Sequence, residues 1–364
     1  MSRSLSPSSS GASPTLADYG WDTACEDAFV PHRSAGLLPA RIVRAERGLC
    51  DAVTDAGPVR ARMRPAGPDG PPPATGDWAA LSPAVPGHPP VVEAVLERRT
   101  ALVRSSASRN SHGHVLAANV DTVAVTVSLA APLRHGRTER MLALAWECGA
   151  QPVVVLTKAD LCPDPGAAAA EVAGVAPGAD VLVTSAGTGE GMDTLAAVLH
   201  GTVVLLGPSG AGKSTLGNRL LGEDRLATGA VRDTDGRGRH TTAWREMVPL
   251  PGGGVLLDTP GLRAIGLHDA RDGLEMAFSD IDDLAQGCRF TDCGHAAEPG
   301  CAVLAAVEAG ELPGRRLDSY RRLQRENAWA ASRTDARLRA DREAVRKDIS
   351  RKIRAIYTFR ERQR

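Results

Sequence analysis

The stretch GPSGAGKST, residues 207–215, fits G-x-x-x-x-G-K-[ST] through Gly207, Gly212, Lys213 and Ser214. Glycines at these places let backbone N–H groups turn inward around phosphate oxygens. A lysine after them reaches the outer phosphates, and the next hydroxyl can ligate Mg2+. The surroundings agree, because TVVLLG (202–207) is an apolar run of strand length and KSTLGNRLLG (213–222) continues as a helix. Gly207, Pro208, Ser209, Gly210, Ala211, Gly212, Lys213, Ser214 and Thr215 are the candidate phosphate contacts, and Lys213 is also a catalytic candidate.

Downstream, VLLDTPG (255–261) places Asp258 at the end of a strand, where a carboxylate would hold Mg2+ through water. Gly261 is placed so that its N–H could meet a γ-phosphate. Between the two lies GRGRHTT (236–242), where Thr241 or Thr242 could complete the Mg2+ shell. Leu262 stands where many GTPases carry a water-orienting glutamine, so its apolar side chain predicts slow intrinsic turnover. His240 is the candidate to position the water instead.

Upstream, VVVLTKADL (153–161) reads as a strand ending in an approximation to the N-K-x-D of GTPases. The Asp160 carboxylate would accept two hydrogen bonds from guanine, a pattern adenine does not offer, and the Lys158 stem would lie along the base. Thr157 replaces the usual asparagine. TSAGTGEG (184–191) supplies Ser185 and Ala186 for the other half of the base pocket.

The base motifs thus precede the phosphate motifs, the reverse of the ordinary order. Val/Leu-rich runs at 121–129, 152–157, 180–186 and 202–207 alternate with helix-length segments, which predicts a parallel α/β sheet buried on both faces. AWREMVPL, PGGG and VLLDTPG add a hairpin at its edge. If the usual sheet begins at the phosphate-loop strand, the strands before that loop are its last three. The domain is then circularly permuted, which a fold with surface termini tolerates.

The chain is long enough for two or three domains, and its composition, 43% hydrophobic and 24% charged, is that of a soluble globular protein. No run suits a membrane span and the start lacks a signal-peptide pattern, so a cytoplasmic protein without membrane contact is expected. The zero net charge hides an asymmetry: from Gly314 onward there are 17 basic and 7 acidic residues, making that tail a candidate for nucleic-acid contact. Lys158, Lys213, Lys347 and Lys352 are the only lysines, and the first two fall inside the nucleotide motifs.

Residues 1–36, rich in Ser, Pro, Gly and Ala, are expected to be disordered. Short apolar runs between Gly and Pro turns then predict a small all-β module ending near residue 100. CRFTDCGHAAEPGC (288–301) spaces Cys288, Cys293, His295 and Cys301 as a closed set of three thiolates and one imidazole, as structural zinc requires.

Taken together, GDW (76–78), AANVDTV (117–123), VVLTKADL, GPSGAGKSTL, GRHTT, DTPGL, CRFTDCGHAAEPGCAV and LDSYRRLQRE resemble one family, the bacterial ribosome small subunit-dependent GTPases of the RsgA/YjeQ type. The resemblance covers residues 38–364 or so. It implies a multidomain chain: an all-β OB-fold at 37–108, a circularly permuted α/β P-loop GTPase domain at 109–272, and a mainly α-helical zinc-binding C-terminal domain at 273–364. It also implies GTP and GDP as ligands, the small (30S) ribosomal subunit and its 16S rRNA as partners, hydrolysis stimulated by that subunit during late maturation, and a monomer. The departures are the first 36 residues, the insert AGPDGPPPATG and Thr157. The competing expectation is an OB and zinc RNA-binding protein whose nucleotide site is a relic without significant hydrolysis.

Overall fold

The computed structural model describes residues 14–64, 72–104, 114–226, 246–258 and 270–334. Ahead of the expected β module, part of the segment expected to be disordered is structured. A short 3-10 turn at Ala17–Tyr19 leads to helix α1 (Thr23–Ser34), whose N-cap Asp22 accepts the Cys25 amide at 2.8 Å. The correction has a packing cause. Leu16, Tyr19, Cys25 and Phe29 are buried, and Trp21 meets Phe29 and Trp78 edge-on with centroids 5.7 and 5.0 Å away. That apolar surface offsets the entropy of ordering. Residues 1–13 lie outside the described residues.

The β module is a closed barrel. Strands β1 (Leu38–Ala45), β2 (Leu49–Thr54), β3 (Gly57–Met63), β4 (Trp78–Leu81) and β5 (Val91–Val95) pair in the order β1-β2-β3-β5-β4, and β4 returns to β1. Only β3 and β5 are parallel, the OB arrangement. Small interior residues, Ala40, Ala52, Ala61 and Ala79, allow so narrow a barrel to fill around Ile42, Leu81 and Val92. Beyond it, β6 (Ala101–Arg104) and β7 (His114–Ala118) form a two-stranded ribbon, inside which the expected domain boundary falls.

The chain then alternates β8 (Thr122–Ser128), α2 (His135–Glu147), β9 (Gln151–Thr157), α3 (Pro165–Ala173), β10 (Asp180–Val183), α4 (Met192–Val198), β11 (Thr202–Leu206) and α5 (Lys213–Leu221). The hairpin β12 (Glu246–Pro249) and β13 (Val255–Asp258) closes the sheet, in the order β10-β9-β8-β11-β13-β12. Every pairing is parallel except β12 with β13. Counted from β11, the first three strands run to one side and the last three to the other. The permutation expected from the motif order is therefore the observed topology. Val154, Val155 and Leu156 of β9 are inaccessible, consistent with a strand covered on both faces.

Among the described residues four helices follow: α6 (Arg271–Ala277), α7 (Ser279–Ala285), α8 (Ala302–Ala309) and α9 (Gly314–Thr334).

Two of the quoted motifs form the joint between barrel and sheet. A Cβ on Gly76 (φ +94°) would stand 2.1 Å from the Ala118 carbonyl oxygen, so only glycine allows this approach. Asn119, itself left-handed at φ 52°, donates to the Gly76 carbonyl and accepts the Arg99 amide, both at 3.0 Å. Arg41 of β1 is buried there, donating to Thr202 Oγ1 at 2.9 Å and lying over the Trp78 ring, 4.2 Å from its centroid. Burial pushes this guanidinium down to about 10, against nearby carboxylates that oppose the shift. The barrel thus docks where β11 begins, at the opposite end of that strand from residues 207–212.

Candidate functional site

The phosphate loop joins β11 to α5 at the point where the sheet's winding reverses, between β11 and β8. Gly210 and Gly212 take left-handed φ of 78° and 86°. A Cβ on Gly207 would stand 2.0 Å from Thr126 Oγ1, so β8 passes flush against the first loop residue. Lys213 reaches back over the loop, donating to the Gly207 and Pro208 carbonyls at 2.8 Å each. Lys213, Ser214 and Thr215 open α5, so their amides belong to the electropositive end of that helix.

The base motif is tied to this loop. The Thr157 hydroxyl donates to the Ala211 carbonyl at 2.7 Å, and the Lys158 ammonium donates to the Gly210 carbonyl at 2.9 Å. Lys158 adopts φ 60°, which turns the chain so that Asp160 sits on the 3-10 turn Ala159–Leu161. There Ser185 Oγ donates to Asp160 Oδ1 at 2.5 Å, and the same Oγ accepts the Thr188 amide at 3.2 Å. Ala186, beside Ser185, is half-buried. Thr157 and Lys158 thus bond to the loop directly, and Asp160, two residues on, is held by Ser185. A charge-assisted bond at the Asp160 carboxylate fixes its orientation while leaving its second oxygen outside that contact.

Asp258 ends β13 opposite Glu246, and β13 is the direct neighbour of the loop-bearing β11. His240, Thr241, Thr242 and Gly261 lie outside the described residues. Thr126 is a residue that the motifs do not reveal. Its role as the seat of Gly207 comes from strand adjacency and has no local sequence signal.

The second constellation lies between α7 and α8. The ligand atoms of Cys288, Cys293, His295 and Cys301 all fall within 4.8 Å of one another. His295 Nδ1 is 3.6 Å from Cys288 Sγ and 3.5 Å from Cys301 Sγ, and these two sulfurs are 3.8 Å apart. An ion held tetrahedrally at about 2.3 Å from sulfur and about 2.0 Å from nitrogen requires edges of about 3.8 Å (S to S) and about 3.5 Å (S to N). The residues present therefore fit a tetrahedral metal ion.

Protonation points the same way. Burial pushes the His295 imidazole down, which keeps it neutral and able to ligate. The His295 amide lowers the Cys293 thiol, but desolvation and the Cys301 and Cys288 sulfurs push it up, while against desolvation the Val303 and Ala302 amides and the other two sulfurs bring Cys288 down. Three thiolates this close need a cation among them. Cys301 also caps α8, where its Sγ accepts the Leu304 amide at 3.5 Å. Glu298 is a further residue the spacing did not reveal. Its carboxylate accepts the amides of Gly294, Ala296 and Ala297 at 3.1, 2.6 and 3.0 Å and so shapes the turn around His295, which takes φ 53°.

Known proteins share this architecture. The RsgA GTPase family model matches residues 95–268. A Streptomyces avermitilis protein named small ribosomal subunit biogenesis GTPase RsgA is 56% identical over 355 residues, 96% of this chain and 95% of its own. The crystal structure of YjeQ from Thermotoga maritima superposes with a TM-score of 0.59 at 26% identity, covering 78% of this chain and 96% of that one. YloQ, described as a circularly permuted GTPase, gives 0.56 at 24% identity over 78% of this chain and 92% of its own.

Proposed function

The chain belongs to the RsgA GTPase family, a GTP hydrolase, and on that premise we propose that it acts in biogenesis of the small ribosomal subunit. In this reading it binds the 30S particle through 16S rRNA, is stimulated by it, and works in the cytoplasm as a monomer. The observation that carries the nucleotide half is the clasp between the base motif and the phosphate loop, Thr157 to Ala211 and Lys158 to Gly210. It makes one continuous cradle from motifs some fifty residues apart.

Each residue then has a role. The N–H groups of 209–215 surround the phosphates in a loop that is already folded, and Lys213 exchanges its bonds to the Gly207 and Pro208 carbonyls for phosphate oxygens to balance their charge. Asp160, oriented by Ser185, reads guanine, with Lys158 and Ala186 lining the base. Ser214, Asp258 and Thr241 or Thr242 would hold Mg2+, which supplies charge neutralisation at the β and γ oxygens. Gly261 meets the γ-phosphate through its N–H, and His240 orients the water that Leu262 cannot. The four-residue cluster takes Zn2+, a structural ion that holds the loop between α7 and α8 in shape.

GTP hydrolysis measured with and without purified small subunits tests the reading. Subunits should accelerate phosphate release, and His240→Ala should lose that acceleration. Equal rates with and without subunits refute the proposal.

A further inference from the structure

One arginine gathers both the GTPase unit and the C-terminal unit. Arg316, in the first turn of α9, is 1% exposed. Its Nε and Nη2 donate to the two carboxylate oxygens of Asp280 on α7, at 2.7 and 2.6 Å. Nη2 also donates to the Ala277 carbonyl that ends α6, at 2.8 Å. Nη1 crosses to the GTPase unit, donating to Glu139 Oε1 on α2 at 2.9 Å and to the Val175 carbonyl beyond α3 at 3.4 Å. The guanidinium lies over Phe278, 4.5 Å from the ring centroid. The fork is thus spent on five acceptor atoms from four places in the fold, α7, the end of α6, α2 and the chain beyond α3.

Further contacts line the same helix. Arg140 makes two bonds of 2.6 Å with Glu326 of α9, and the Gly273 amide donates to Glu147 Oε2 at 2.9 Å. Helix α2 connects β8 and β9, the strands that carry Thr126 under Gly207 and Thr157 under Ala211. The floor of the phosphate loop and the C-terminal unit therefore share one support.

A buried ion pair gives little net stability compared with an apolar pair of the same volume. What a planar five-donor fork supplies is one permitted geometry. We propose that Arg316 is a positioning residue that fixes the metal-cluster unit on α2, and that this fixed placement sets subunit stimulation of GTP hydrolysis without setting the unstimulated rate. The inference rests on the subunit-dependent reading above. None of the partners of Arg316 belongs to the nucleotide site, so basal turnover is independent of it.

The test uses the full chain with purified small subunits and two variants. Arg316→Lys keeps the charge but not the fork. The double variant Glu139→Leu with Arg316→Met removes both buried charges, so that neither is left unpaired. Melting temperature and bound metal confirm that each folds. Basal kcat and the KM for GTP should stay within about twofold, while the subunit concentration giving half-maximal stimulation rises between about 5- and 150-fold, the span of a typical coupling between sites. Arg316→Lys should lose less than the double variant. Wild-type stimulation in both variants overturns the inference, as does a basal rate that falls in both. A wild-type chain without stimulation sinks the functional reading itself, and this inference with it.

Discussion

Gly273 on α6 sets local helix preference against packing in a measurable way. Alanine is the better helix former by about 1 kcal/mol, so propensity alone predicts that Gly273→Ala stabilises the protein. The surroundings predict the reverse. A Cβ there would stand 2.1 Å from the Ala143 carbonyl oxygen, 2.7 Å from Glu147 Cβ and 2.8 Å from the Glu147 nitrogen. Two of these atoms are backbone of α2 and cannot swing aside. An ordinary carbon-to-oxygen contact is about 3.3 Å or longer, so α6 must retreat by about 1.2 Å. A retreat of that size breaks the 2.9 Å bond from the Gly273 amide to Glu147. Losing a bond to a charged group costs about 1.5 to 3 kcal/mol, and overpacking costs about 1 to 3 kcal/mol more. Set against the propensity gain, the net loss is about 2 to 5 kcal/mol. Two control glycines share helical backbone but not the crowding. At Gly166 the nearest atom to a new Cβ is Asp164 Oδ1 at 3.5 Å, and at Gly136 it is the end of the exposed Arg322 side chain at 2.4 Å, which unlike backbone can swing aside. Urea unfolding followed by circular dichroism should show Gly273→Ala clearly destabilised, with Gly166→Ala and Gly136→Ala close to wild type. Equal or greater stability for Gly273→Ala would refute the packing argument.

Asp160→Asn should weaken GTP binding by about 2 to 4 kcal/mol in a fluorescent-nucleotide titration, because the bidentate charged contact to guanine is lost. Unchanged affinity would remove Asp160 from the base site. Cys301→Ser keeps an oxygen to cap α8 but loses a thiolate, so the expected outcome is loss of bound metal, read by elemental analysis, with a lowered melting temperature. The Asp22 carboxyl is held at about 2 by the Cys25 amide and by Arg99, against 3.8 when unfolded. Its contribution to docking the N-terminal segment is therefore complete above about pH 4 and is lost as the pH falls toward about 2. Tryptophan fluorescence should report a small acid transition in that window, and Asp22→Asn should abolish it.

What was legible in the sequence was whatever depends on neighbours in the chain. The valine runs of β8, β9 and β11 announce burial on both faces, the glycines of 207–212 announce the tight turn from β11 into α5, and the spacing of Cys288 to Cys301 announces a tetrahedral ligand set. What was not legible depends on partners supplied from far away. The Ser- and Pro-rich start disguised Leu16 to Phe29, whose order is secured by Trp78 of the barrel. Thr157 reads as a weaker asparagine until its hydroxyl is seen to hold the Ala211 carbonyl, for which one donor suffices. Arg316 falls within the tail whose net charge suggests contact with phosphate, yet it is buried against Glu139 and Asp280.

The burial of Arg316 sharpens the meaning of the permuted order. In an unpermuted sheet β13 would lead on to β8 within the same domain. Here the chain instead leaves Asp258 and reaches α6 at Arg271, and α6 packs by its Gly273 on α2, the helix that follows β8. The cut thus returns the chain, at α6, to the helix that carries Glu139 and Arg140. Glu139, Arg140 and Glu147 of the inter-unit joint then lie on one helix, with the C-terminal unit attached to it twice, through α6 and through α9. A second attachment removes the freedom that a single tether would leave. On that argument the permutation matters because it returns the chain to α2, and Arg316 is needed at that return point.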